Sequence, residues 1–157
     1  MAANTGFVHG GDILLYHNTG TEISPVWTPF AHATSHKITH PTNVRTINTK
    51  TLGPNTGVKA GLHGQSTLSM SGLKTYDDNN YLTLKEMRDD RERIQFKLGG
   101  RPVADTDYFE VNEQVGDKYE EGYGYITSLS SDMPHDANAT FEVEIAIDGN
   151  TEIKTVA

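Results

Sequence analysis

The chain has no cysteine. Disulfide staples, thiolate zinc sites and thiol nucleophiles are therefore excluded. It also lacks any apolar run near the roughly 20 residues of a membrane-spanning helix. The opening residues, Met1-Ala-Ala-Asn-Thr-Gly6, have neither a basic region nor an apolar core, so no signal peptide is expected and the product should stay in the cytoplasm until it assembles. Basic residues are scarce: 13 Lys and Arg stand against 21 Asp and Glu, a formal net charge of −8. Tight binding to a phosphate backbone needs clustered Lys and Arg, which argues against a nucleic-acid-binding domain. A surface that lets nucleic acid pass without holding it would carry this sign. Apolar residues are 35% of 157, a smaller share than a compact globule usually has. This suits β-structure with wet strand faces, or a subunit that completes its burial against neighbours. The apolar residues fall in periodic runs, which argues against disorder.

Those runs are mostly of period two. Phe141, Val143, Ile145 and Ile147 alternate with Glu142, Glu144 and Ala146, the mark of a strand with one buried and one wet face. With Tyr123–Ser131 they predict an antiparallel pair joined by the polar loop 131–138. Earlier, Asp12–His17 predicts a first strand after a flexible N-terminus, residues 1–11. Trp27-Thr-Pro-Phe30, with Pro25 just before it and Pro29 within it, predicts an edge strand or anchored loop. Residues 35–51 form a long Thr-rich run interrupted by Pro41. Unbroken it would span about 55 Å, so it is expected to turn a corner or leave the domain body. Residues 52–61 hold three Gly and predict a loop, so 35–62 is expected to be an extended arm. Leu68 and Met70 alternate with Thr67, Ser69 and Ser71. Tyr81, Leu84 and Met87 mark the apolar stripe of one helix, residues 77–91, capped by Asp77 or Asp78 and laced by Lys85–Asp89, Arg88–Glu92 and Asp89–Arg93. Ile94, Phe96 and Leu98 predict another strand. Residues 101–118 are polar and irregular, and 151–156 a short last strand. The whole reads as one β-rich domain with one helix between its halves.

No catalytic, cofactor or metal site is expected. His32, His36 and His40 are four apart, but Thr34, Thr39 and Pro41 oppose a helix. On a strand the three would spread over about 13 Å, beyond one metal ion. Gly53-Pro-Asn-Thr-Gly57-Val-Lys59 lacks the spacing of a phosphate loop. Asp77-Asp-Asn-Asn80 does not match an EF-hand. Asp132, Asp136 and Asn138 are better read as a solvated loop than as calcium ligands. No Ser sits in a nucleophile elbow.

Six segments, in order, resemble the major tail proteins of long-tailed phages. They are Asp12-Ile-Leu-Leu-Tyr16, Trp27-Thr-Pro-Phe-Ala-His-Ala-Thr-Ser35, Ile47-Asn-Thr-Lys50-Thr51, Leu68-Ser-Met-Ser-Gly-Leu73, Tyr123-Gly-Tyr-Ile-Thr-Ser-Leu-Ser130 and Ala139-Thr-Phe141. The resemblance spans about residues 12–153, with the single helix in place, and no decoration domain is expected. It implies a tail-tube-type β-sandwich or open barrel with one flanking α-helix and a long protruding hairpin or arm.

The resemblance further implies a structural subunit, not an enzyme. Such subunits stack as hexameric rings into the conduit through which the genome passes, and neighbours join hairpins into a continuous inner barrel. Ring closure removes the open strand edges that otherwise invite pairing. Implied partners are further copies of the chain, tail tip and tail terminator proteins, and a tape measure protein in the lumen. DNA passes only in transit, no membrane is involved, and the place of work is the virion tail. Candidate inter-subunit arm residues are Ile38, Val44, Ile47, Lys50, Leu52 and Val58. Candidate lumen or subunit-face acids are Glu120, Glu121, Glu142 and Glu144. Two other readings remain open at this point. One is the inner tube of a contractile or secretion-type injection system. The other is a carbohydrate-binding module that uses Trp27, Tyr119, Tyr123 and Tyr125 as its platform.

Overall fold

The computed structural model describes residues 3–47, 58–76, 80–101 and 112–157. Among the described residues nine strands and one α-helix follow a short 3-10 turn at Gly10–Asp12: β1 (Ile13–Asn18), β2 (Trp27–Pro29), β3 (Ala33–Thr39), β4 (Thr42–Ile47), β5 (Val58–His63), β6 (Thr67–Leu73), α1 (Asn80–Asp89), β7 (Ile94–Gly100), β8 (Lys118–Asp132) and β9 (Thr140–Thr155). Seven strands make one antiparallel sheet in the order β2-β1-β7-β8-β9-β6-β3, while β4 and β5 pair only with each other.

The sheet is rolled. Leu15 and Phe30 from its first strands share one buried cluster with Leu68 and Met70 from the far side and with Phe96, Phe141, Val143, Ile145 and Ile147 between them. β1 and β3 approach without pairing and leave a cleft of about 350 Å³. The result is an open barrel. Its filling is the apolar phase of each period-two strand, and Leu84 of α1 completes the packing at 0% exposure.

The predicted alternation of β9 is borne out: Phe141, Val143, Ile145 and Ile147 are buried, Glu142 and Glu144 exposed. On β8 the spacing of Ile126 and Leu129 is three, which in a regular strand would put them on opposite faces. A register shift between Ile126 and Ser128 leaves Thr127 unpaired, so both apolar side chains pack on the core.

Several expectations need correction. Residues 35–39 of the expected arm belong to β3, one of the sheet's two edge strands. Ile38 pairs with Leu68 and packs on the core, because it continues the same inward phase. The part of 35–62 that leaves the large sheet is the β4–β5 hairpin, and the Gly-rich loop gives up 58–61 to β5. Residues 48–57, with Lys50 and Leu52, lie outside the described residues. The separate last strand does not exist, because β9 runs on to Thr155. Gly149, at φ 78, and its neighbours bulge there instead of turning. The helix spans Asn80–Asp89, and the proposed caps Asp77 and Asp78 lie outside the described residues. Lys85–Asp89 forms at 3.3 Å, but Arg88 turns to Asp89, and Arg93 reaches Asp148 across the sheet.

His17 on β1 is buried among these strands. Its ring lies 4.5 Å from that of Phe30, and its Nδ1 has no hydrogen-bond partner among the described residues. Burial pushes its pKa, and that of His36, below the usual 6.5. A lowered folded-state value contributes stability above pH 6.5 that is lost as pH falls from 6.5 through the folded value. Denaturant melts at about pH 7.5 and about pH 5 should therefore show a weaker subunit in acid. His17→Phe, which keeps a ring against Phe30, should shrink that loss. An unchanged pH dependence in the variant would remove His17 from the account.

Candidate functional site

Two surfaces stand out. The first is the outer face of the β3-β6-β9-β8 half of the sheet. Residues paired across antiparallel strands share a face, so the register assembles it directly. One row runs Lys37–Ser69–Glu144–Ser128 and the next Ser35–Ser71–Glu142–Ser130. A third, Thr39–Thr67–Ala146–Tyr125, follows. Most of the side chains are short hydroxyls around two carboxylates, with Lys37 at the outer end of the first row and Tyr125 at the inner end of the third, and both Glu142 and Glu144 are exposed. Neither enters an ion pair with a described residue. Chemically this is a wet face with a net negative charge in its two central rows.

The other half of the same outer face is different. On β7, Gln95 and Lys97 are each only 7% exposed, although their alternation with Ile94 and Phe96 predicts a wet phase. Gln95 donates to Glu121 at 2.8 Å, and its Oε1 accepts from Asn18 at 2.7 Å. Lys154 donates to Glu121 at 2.9 Å, which pushes the lysine pKa up. Lys97 pairs with Glu113 at 2.9 Å and lies 4.4 Å above the Tyr119 ring. Burial, followed by the Glu121 charge, raises the Tyr119 pKa. Arg93 covers Tyr123 at 4.1 Å. Glu121 is thus an internal acid at 7% exposure and not a free-face one, because residues from three other strands close over it. Tyr119 and Tyr123 are likewise occupied by cations instead of forming an open platform.

The second surface is the base of the β4–β5 hairpin. Gly64 N–H donates to Pro41 O at 2.9 Å, and a Cβ on Gly64 would sit 2.9 Å from the Pro41 ring, so only glycine allows this close crossing. His40 bonds Ser66 Oγ through Nδ1 at 3.0 Å and Glu120 through Nε2 at 2.9 Å. Thr151 donates to the same Glu120 oxygen. Glu120 is therefore a tie between hairpin base and barrel rather than a lumen acid. Farther out, Val44 is 62% exposed, and Ile47 pairs with Val58. Of the three spaced histidines, His32 sits at a turn with φ 56, His36 lines the β1/β3 cleft and His40 makes the tie. The structure does not bring them together. Sequence reasoning missed the roles of His40, Ser66 and Thr151, since nothing local signals a contact across 80 residues.

Among solved structures, a chain from the tail of an empty gene transfer agent particle with C6 symmetry is similar with a TM-score of 0.62 at 18% identity, over 94% of this chain and 99% of that one. The SPP1 tail tube gives 0.67 at 9%, over 94% and 79%. The tube-terminating cap of the anti-feeding prophage gives 0.61 at 14%, over 99% and 95%. At such identities the likeness is one of fold. No curated protein sequence matches. The sequence itself matches the phage tail tube protein family over residues 7–152, so nearly the whole chain carries the resemblance first visible in its six ordered segments. The chain belongs to the phage tail tube protein family.

Proposed function

We propose that the subunit stacks as hexameric rings, with the β3-β6-β9-β8 face toward the lumen and the β4–β5 hairpin reaching a neighbouring copy. The observation that carries the lumen assignment is the pair of rows centred on Glu142 and Glu144. The two carboxylates enter no ion pair with a described residue and stand among short hydroxyls, with Lys37 at the end of one row as the single cation, so the net field of these rows repels a phosphate backbone. The C6 symmetry of the gene transfer agent tail supports six subunits per ring. A tape measure protein before ejection, and DNA during it, would occupy that lumen. Tail tip and terminator proteins would close its ends.

Electron microscopy of the purified chain should show stacked rings or tubes. Removing residues 48–57, between the hairpin strands, should leave a folded subunit that does not polymerise. A strictly monomeric parent at high concentration would overturn the tube assignment, and normal tubes from the deletion would overturn the role of the hairpin. A second reading, the inner tube of a contractile injection system, is supported by the likeness to the anti-feeding prophage cap. Recovery of a contractile sheath in a pull-down from infected cells would favour it.

A further inference from the structure

The hairpin is joined to the barrel by a small set of side chains whose arrangement has a mechanical meaning. Within the hairpin, its six residue pairs and the Pro41–Gly64 crossing make one stiff body. Between that body and β9 lies a cleft of about 700 Å³, with His40, Pro41, Thr42, His63 and Gly64 on one wall and Ile147, Gly149 and Thr151 on the other. The cleft leaves room for the hairpin to swing.

The side chains that span from the hairpin base to the barrel are the chain Ser66–His40–Glu120–Thr151, with Gln65 Nε2 donating to Ile147 O at 2.7 Å and the Ile147 N–H donating to Ser66 O at 2.9 Å as a fixed backbone pivot beside it. The chain has a consistent proton arrangement: the Ser66 hydroxyl donates to Nδ1, and Nε2–H donates to the Glu120 carboxylate. Thr151 can reach that carboxylate because β9 carries extra residues there. Tyr123 pairs with Asp148 and Glu121 with Glu152, so Gly149, Asn150 and Thr151 face only Gly122. The bulge that breaks the sheet register thus supplies the last member of the tie.

We propose that Ser66, His40, Glu120 and Thr151 form a latch that fixes the direction of the β4–β5 hairpin relative to the barrel, so that the arm is aimed before it meets another copy of the chain. This rests on the reading of the hairpin as the arm of a tube subunit. The latch acts by preorganisation: a hairpin already pointing correctly loses less conformational freedom on joining its neighbour.

The absence of native cysteine makes the test clean. Spin labels on Val44→Cys in β4 and Ser130→Cys in β8 report the hairpin-to-barrel distance in the unassembled subunit. A narrow distribution is expected with the latch intact. His40→Ala and Glu120→Gln should broaden or split it, and Ser66→Ala, the mildest change, should broaden it less. The critical concentration for tube growth should rise about tenfold in the first two. Distributions as narrow as the parent's, at the same mean, in both Glu120→Gln and Ser66→Ala would overturn the latch even if His40→Ala fails to fold. The distance measurement does not require tubes, so the latch can fail while tubes form normally. A parent that never forms tubes would instead overturn the reading of the hairpin as an arm.

Discussion

Replacing Phe141 with alanine is expected to destabilise the subunit by about 3–5 kcal/mol, a large part of a single domain's total stability. Phe141 is 1% exposed in the centre of the rolled sheet, with its ring 6.2 Å from that of Tyr81 on the helix. It ties α1 to β9 and lies across Gly72 of β6. A Cβ on Gly72 would sit 2.6 Å from the Phe141 ring, so Gly72→Ala alone should also destabilise, by about 1–3 kcal/mol through overpacking. The two changes oppose each other in space, because the methyl group enters volume the ring vacates. The double variant should therefore be more stable than the sum of the single losses implies, and a double-mutant cycle from denaturant melts measures this. Additive losses would mean that ring and glycine do not share that space.

The second large effect concerns transport. The double variant Glu142→Lys and Glu144→Lys should fold normally, since both side chains are exposed on β9 and neither forms an ion pair with a described residue. Each exchange moves the charge by two, so the subunit goes from −8 to −4, and the most exposed acids of the proposed wall become cations. Tubes should still form. DNA passage should slow on the order of tenfold or more, because lysines repeated around every ring would contact phosphates along the whole path. Salt should relieve the defect, since such contacts weaken steeply with ionic strength. Ejection at the parent rate, at low salt and with intact tubes, would remove this face from the lumen. A control at Lys118→Glu, on the exposed start of β8 away from those rows, should leave passage unchanged.

How far the sequence was readable depends on the residue in question. The core of β9, the inward phase of β6 and the helix stripe were legible because each is written in a local period. The wet position of Glu142 and Glu144 followed from the same pattern. Glu120 and Glu121 looked equivalent to them and are not. Glu120 pairs opposite Leu98, on the core-side face, where the hairpin base covers it. Glu121 pairs opposite Lys97, where Gln95 and Lys154 hold it. Nothing in the stretch Tyr119-Glu-Glu-Gly122 carries that information.

The sequence by itself determined a cysteine-free, acidic, mainly β chain with one helix, and its ordered segments were enough to point to the tail tube family. Only the tertiary structure decided which acids meet water, where the β4–β5 hairpin leaves the sheet and which side chains tie its base to the barrel. The physical reason is that period-two burial is a property of neighbours along the chain. The buried polar layer on β7, the His40 tie and the two Glu–Ser rows arise from strand register between segments tens of residues apart. That register is set by how the whole apolar face closes.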